Sequence, residues 1–132
     1  MGVDVVVWLK PNRDLKPGEI ETLEENIRVR FSSFVDFYDD APSISPCDSD
    51  WPGYLEMSMA ERYWGQGYER GNFIGIAALL DYLVRVFPGD VFYGSDMLDM
   101  PTTMTWQEER EILWQHFASD GFNGYRDRRS VK

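Results

Sequence analysis

A chain of 132 residues, 43% apolar and 15% aromatic, has the composition of a globular domain with one packed core and excludes a disordered chain. The net charge is −10; residues 125–132 hold four basic residues against one acidic, a net of +3, which leaves −13 on the rest. So acidic a body repels phosphate backbones, and direct nucleic-acid binding is not expected.

The first predicted element is a strand, because Val3, Val5, Val7 and Leu9 alternate with other residues and are mostly β-branched. Pro11-Asn12-Arg13-Asp14 is turn chemistry that ends it. Ile20, Leu23, Ile27, Phe31 and Phe34 then recur at spacings of three and four, which predicts a helix over 17–35 with Pro17 in its first turn. Its glutamates come early and Arg28 and Arg30 late, as the helix dipole favours.

Residues 36–52 are irregular and acidic, broken by Pro42, Pro46 and Pro52, with a short edge strand expected over 44–47. A long strand is predicted over 54–64, with Leu55, Met57 and Met59 inward and Glu56, Ser58 and Arg62 outward. A glycine-rich connection follows, and Asn72 is expected to cap a second helix whose buried stripe is Phe73, Ile76, Leu80, Leu83 and Phe87. Pro88-Gly89 ends that helix, and residues 90–94 form a short strand. Thr105-x-x-Glu108 is a capping box opening a third helix, with Trp106, Leu113 and Phe117 on one side.

The order β-α-β-β-α-β-α predicts an α+β domain of ferredoxin-like type over 1–124. Two helices would cover one face of an antiparallel sheet, with an extra C-terminal helix and a basic, flexible tail over 125–132.

The most suggestive segment for function joins the third strand to the second helix. Gly65-x-Gly67-x-x-x-Gly71 resembles a dinucleotide fingerprint but is one residue too long, and no Gly-Lys-Ser/Thr follows. With Arg62 and Asn72 these glycines are candidate anion-binding residues, since the first N–H groups of a helix lack partners. A glycine-bearing turn that closes the strand onto its helix explains them better, since a lone imperfect glycine motif is a weak signal. Glu61, Trp64, Tyr68, Glu69 and Arg70 are the candidate binding residues, combining aromatic anchors with mixed charge. Tyr63, Phe73, Phe92 and Tyr93 belong to the same region, divided between core and surface.

Other clusters carry less. Asp48-Ser49-Asp50-Trp51-Pro52-Gly53 starts like a calcium loop, but Pro52 takes a ligand position and Met59 stands where a bidentate Glu is required. His116 is the only histidine and Cys47 the only cysteine, so no metal site or catalytic centre is expected. Asp96 and Asp99, or Glu56 and Glu61, could serve acid–base chemistry, but 23 acidic residues make such pairs commonplace. A single cysteine, no visible signal peptide and no membrane-length apolar run lead to the expectation of a cytoplasmic protein without cofactor or membrane attachment.

The expected function is that of a non-enzymatic, acidic interaction protein that binds a partner protein with a basic surface. In size and charge alone it is similar to small phage-encoded inhibitors of restriction or CRISPR systems. The alternative is a small nucleotide- or anion-binding enzyme or regulator that uses the loop 65–72. An open sheet edge or the Trp106–Trp114 helix offers a surface for a homodimer.

Overall fold

The computed structural model describes residues 3–33, 35–47, 51–63, 70–95 and 104–119. These form an α+β fold: among the described residues, a four-stranded antiparallel sheet with three helices. In chain order these are β1 (Val3–Pro11), α1 (Glu19–Phe31), β2 (Ser45–Pro46), β3 (Leu55–Tyr63), α2 (Arg70–Val86), β4 (Gly89–Ser95) and α3 (Trp106–Ser119). A single 3-10 turn, Tyr38–Asp40, lies between α1 and β2. The strands lie in the order β2-β3-β1-β4. No helix among the described residues is long and apolar enough to cross a membrane.

The alternation in β1 works as expected. Val5, Val7 and Leu9 are buried and join Leu23, Ile27 and Phe31 of α1 and Ile76, Leu80 and Leu83 of α2 in one core, with Ile20 packed against it. Met57 and Met59 reach the same core from β3, and Val91 and Tyr93 from β4. The registers Val7↔Met57 and Val7↔Tyr93 place these side chains level with one another.

Beyond that pattern the structure departs from expectation at several points. α1 begins at Glu19, not at Pro17, because Gly18 takes a left-handed conformation (φ 81°) that a helix cannot include. Glu19 then secures the start: its carboxylate accepts the Lys16 backbone N–H at 2.8 Å and two Arg13 guanidinium bonds at 3.1 and 2.7 Å. α1 also stops at Phe31, four residues early, and the chain folds back so that Val35 is buried and donates its N–H to the Phe31 carbonyl at 2.9 Å. Phe34 lies outside the described residues.

β3 carries an irregularity that alternation alone does not reveal. Asp4 pairs with Arg62 and Val6 with Ser58, so residues 59–61 of β3 stand opposite Val5 alone. Such a bulge leaves ladder groups to be satisfied elsewhere. The Ala60 N–H donates to the Asp36 carbonyl at 2.9 Å, tying the post-α1 segment to the edge of the sheet. β2 covers only Leu55 and Glu56 of that edge.

The third helix opens on the glutamate half of its expected capping box. Glu108 Oε1 accepts the Thr105 backbone N–H at 2.8 Å and lies 3.1 Å from the Thr105 hydroxyl. Trp106 is fully buried, and the next inward position is Glu109, a carboxylate only 3% exposed, followed by half-buried Ile112. The side chains of Leu113 and Phe117, expected on that stripe, lie outside the described residues, as do Gly121, Gly124 and the basic tail.

The Glu19 anchor yields a measurable consequence. The Arg13 guanidinium first, and the Lys16 N–H second, hold its carboxyl down to about 2. A carboxyl lowered in this way contributes its stability above the ordinary glutamate range, near ~4.3, and loses it as pH falls through the folded value. Side-chain carboxyl NMR should show Glu19 titrating about two units below exposed glutamates. Arg13→Gln should move it back toward them. A wild-type midpoint in the ordinary range would show that the Arg13 pair does not form in solution.

Candidate functional site

The described residues among those singled out by sequence flank the connection from β3 to α2. Tyr63 at the exit of β3 pairs with Val3, and Ser95 at the exit of β4 pairs with Val5, so both strands end beside the start of β1. Arg62 pairs with Asp4, and Glu61 belongs to the β3 bulge. Arg70, Gly71 and Asn72 are the first three residues of α2. Thus Glu61 and Arg62 stand at one side of the connection and Arg70, Gly71 and Asn72 at the other. Trp64, Gly65, Gly67, Tyr68 and Glu69, which complete it, lie outside the described residues.

One expectation is corrected here. Asn72 does not cap α2, because the helix already includes Arg70 and Gly71, which places Asn72 inside the first turn. The glycine-bearing connection is correspondingly shorter, and Gly71 belongs to the helix. That first turn holds no acidic residue, in contrast to α1 and α3, which open with two glutamates each.

The aromatic residues assigned to this region part company. Tyr93 is fully buried in the main core, where its ring packs against Trp106 with centroids 5.7 Å apart. Phe92 faces the opposite side of the sheet and is also buried, in a second cluster with Val6 and Trp8. Neither ring offers an open face to a partner.

That second face escaped the reading of the sequence. Cys47 and Tyr54 pack against it, and Tyr54 lies 6.0 Å from Phe92 and 5.9 Å from Trp51, ring centre to ring centre. The Lys10 ammonium stands 4.7 Å from the centre of the Tyr54 ring. The available signal was Val6 and Trp8: a β1 that is apolar at both parities is covered on both faces. Because Trp8 and Phe92 are buried, they do not form the exposed stacking platform that sheet-borne nucleic-acid recognition uses.

Among the described residues, no three His, Cys, Asp or Glu side chains are grouped closely enough to hold a metal ion. Asp48, Ser49 and Asp50 of the calcium-like stretch, together with Asp96 and Asp99, lie outside those residues, and so does the side chain of His116. Cys47 is half-buried against the second face of the sheet.

Comparison with known proteins adds no kinship: no family model, no curated protein and no solved structure matches the chain.

Proposed function

We propose that the chain is a non-enzymatic, acidic interaction protein that binds a partner protein through a basic surface on that partner. The observation that carries this reading is the charge of −10, with exposed carboxylates at Glu21 and Glu25 on α1, Asp36 and Asp39 after it, and Glu108 and Glu111 on α3. Carboxylates spread over several elements create a negative field that accelerates encounter with a cationic surface. The same field suits an inhibitor that occupies a basic nucleic-acid groove in its target.

The binding residues are Glu61, Trp64, Tyr68, Glu69 and Arg70, in the connection between β3 and α2 and at the ends of the elements it joins. Connections between well-anchored elements are where binding residues concentrate, and this one starts from a bulged strand end. Within this proposal the fold is ferredoxin-like, supported by the β-α-β-β-α-β order and the β2-β3-β1-β4 sheet, with α3 appended. The single cysteine fits a cytoplasmic setting.

A second reading, a nucleotide- or anion-binding role for the connection, is favoured by one observation. α2 opens with Arg70 and no acid in its first turn. Arg62, Gly65, Gly67, Gly71 and Asn72 would serve it.

Affinity capture from the native host, repeated with Trp64→Ala and Tyr68→Ala, distinguishes these readings. A stoichiometric protein partner should be retained by the wild type, weakened by both variants at unchanged melting temperature, and released by moderate salt. A partner held equally by wild type and both folded variants would place the interface elsewhere. Absence of a partner, with a melting temperature raised by a nucleotide, would favour the second reading.

A further inference from the structure

The described arginine side chains fall into two groups. Arg13 is bonded to Glu19, Arg28 to Glu25 and Arg110 to Asp81. Arg30 and Arg85 have no carboxylate partner among the described residues, although acidic residues outnumber basic ones 23 to 13 in the chain. These two come from different helices, yet both stand over one ring. The Arg30 guanidinium lies 5.2 Å and the Arg85 guanidinium 5.9 Å from the centre of Tyr82.

Tyr82 is itself buried and fixed by Phe31, 5.4 Å away between ring centres. A guanidinium stacked on an aromatic ring keeps its in-plane N–H donors available, and the stacking limits the freedom lost when they bind. Covering the ring needs only one such group. Two, carried by separate helices and with no carboxylate partner among the described residues, place two forks of donors around one ring.

Apolar surface lies beside the two arginines. Val29, 66% exposed, and Val86, 46% exposed, are the chain neighbours of Arg30 and Arg85 and two of the three large apolar side chains exposed among the described residues. Tyr82 and Val86 also line an open groove of about 480 Å³ between α1 and α2, with Thr22 and Asn26 on its other side. We propose that Arg30, Arg85 and Tyr82 form a binding site for an oxyanion, a carboxylate or a phosphate, carried on an apolar body that lies in this groove against Val86. Arg85 lies at the opposite end of α2 from Arg70, and the site takes a ligand of opposite charge to the proposed basic partner.

The test is NMR titration of the full chain, following the arginine Nε–Hε signals with phenyl phosphate, with phenylacetate and with inorganic phosphate. The signals of Arg30 and Arg85 should shift saturably, while Arg28, held by Glu25, stays put. The two aromatic probes differ in their anion, so the tighter one assigns phosphate or carboxylate; both should bind more tightly than inorganic phosphate. Arg30→Gln with Arg85→Gln should weaken binding by about tenfold or more, since each bond to a charged group is lost. Shifts that do not saturate, that Arg28 shares, or that survive in the folded double variant would overturn the site. If the double variant fails to fold, the contrast between Arg30/Arg85 and Arg28 in the wild type decides alone.

Discussion

Trp106→Ala is expected to destabilise the fold by about 3–5 kcal/mol, the usual range for emptying a buried indole site. Trp106 is 0% exposed, and its ring meets Tyr93 edge-on in the core. Its indole N–H also donates to Asp81 Oδ1 at 2.6 Å, and Arg110, one turn further along α3, grips the same carboxylate at 3.0 and 2.8 Å. One half-buried aspartate on α2 therefore receives two side chains of α3. Trp106→Phe separates packing from polarity: it keeps an aromatic ring but removes the N–H, while Arg110 still satisfies Asp81. A charge-assisted bond of this kind contributes roughly 1.5–3 kcal/mol, so the Phe variant should fall between wild type and Ala. Urea unfolding monitored by far-UV circular dichroism gives both values. A Trp106→Ala loss below about 1 kcal/mol, far under the range for a buried aromatic, would mean that α3 is peripheral to the folding unit.

The sequence disclosed what depends on local periodicity. Val5, Val7 and Leu9, Met57 and Met59 of β3, Leu23, Ile27 and Phe31 of α1, and Ile76, Leu80 and Leu83 of α2 are inward as their spacing requires. It disclosed less where one segment answers to another. The start of α1 is set by Arg13, Lys16 and Glu19 acting together, and Gly18 overrides the helix-start signal of Pro17. The β3 bulge depends on the Asp36 carbonyl, more than twenty residues earlier, being at hand for the Ala60 N–H. Asn72 was a sound capping residue in the wrong place, because Arg70 and Gly71 already lie in the helix. Glu109 lies in a charged run, yet its spacing of three from Trp106 turns it inward. The candidate site was legible only as a segment between β3 and α2. The pairing of Arg30 with Arg85 was not legible at all, since 54 positions separate them in the chain and only the packing of α1 on α2 unites them on Tyr82.

Gly89→Ala is expected to be among the most damaging single-methyl additions to this protein. Pro88-Gly89 reads as a helix stop, but Gly89 is also the first residue of β4 and pairs with Pro11 at the end of β1. The backbones approach so closely there that an added Cβ would lie 2.1 Å from the Lys10 carbonyl oxygen and 2.8 Å from the Pro11 Cα. Both are main-chain atoms, so no side-chain rotation relieves the clash. The end of the β1–β4 ladder must move, together with the Asn12 N–H bond to the Pro88 carbonyl at 2.9 Å. Overpacking typically costs ~1–3 kcal/mol, and a clash with rigid backbone belongs at the upper end or beyond. Gly18→Ala is the control: it places a methyl in open space, at φ 81°, and should cost only the left-handed strain of about 1–2 kcal/mol. The difference between the two variants in urea unfolding isolates the close approach at Gly89. Equal losses would show that β1 and β4 do not come together at Pro11 and Gly89 as tightly as the structure has them.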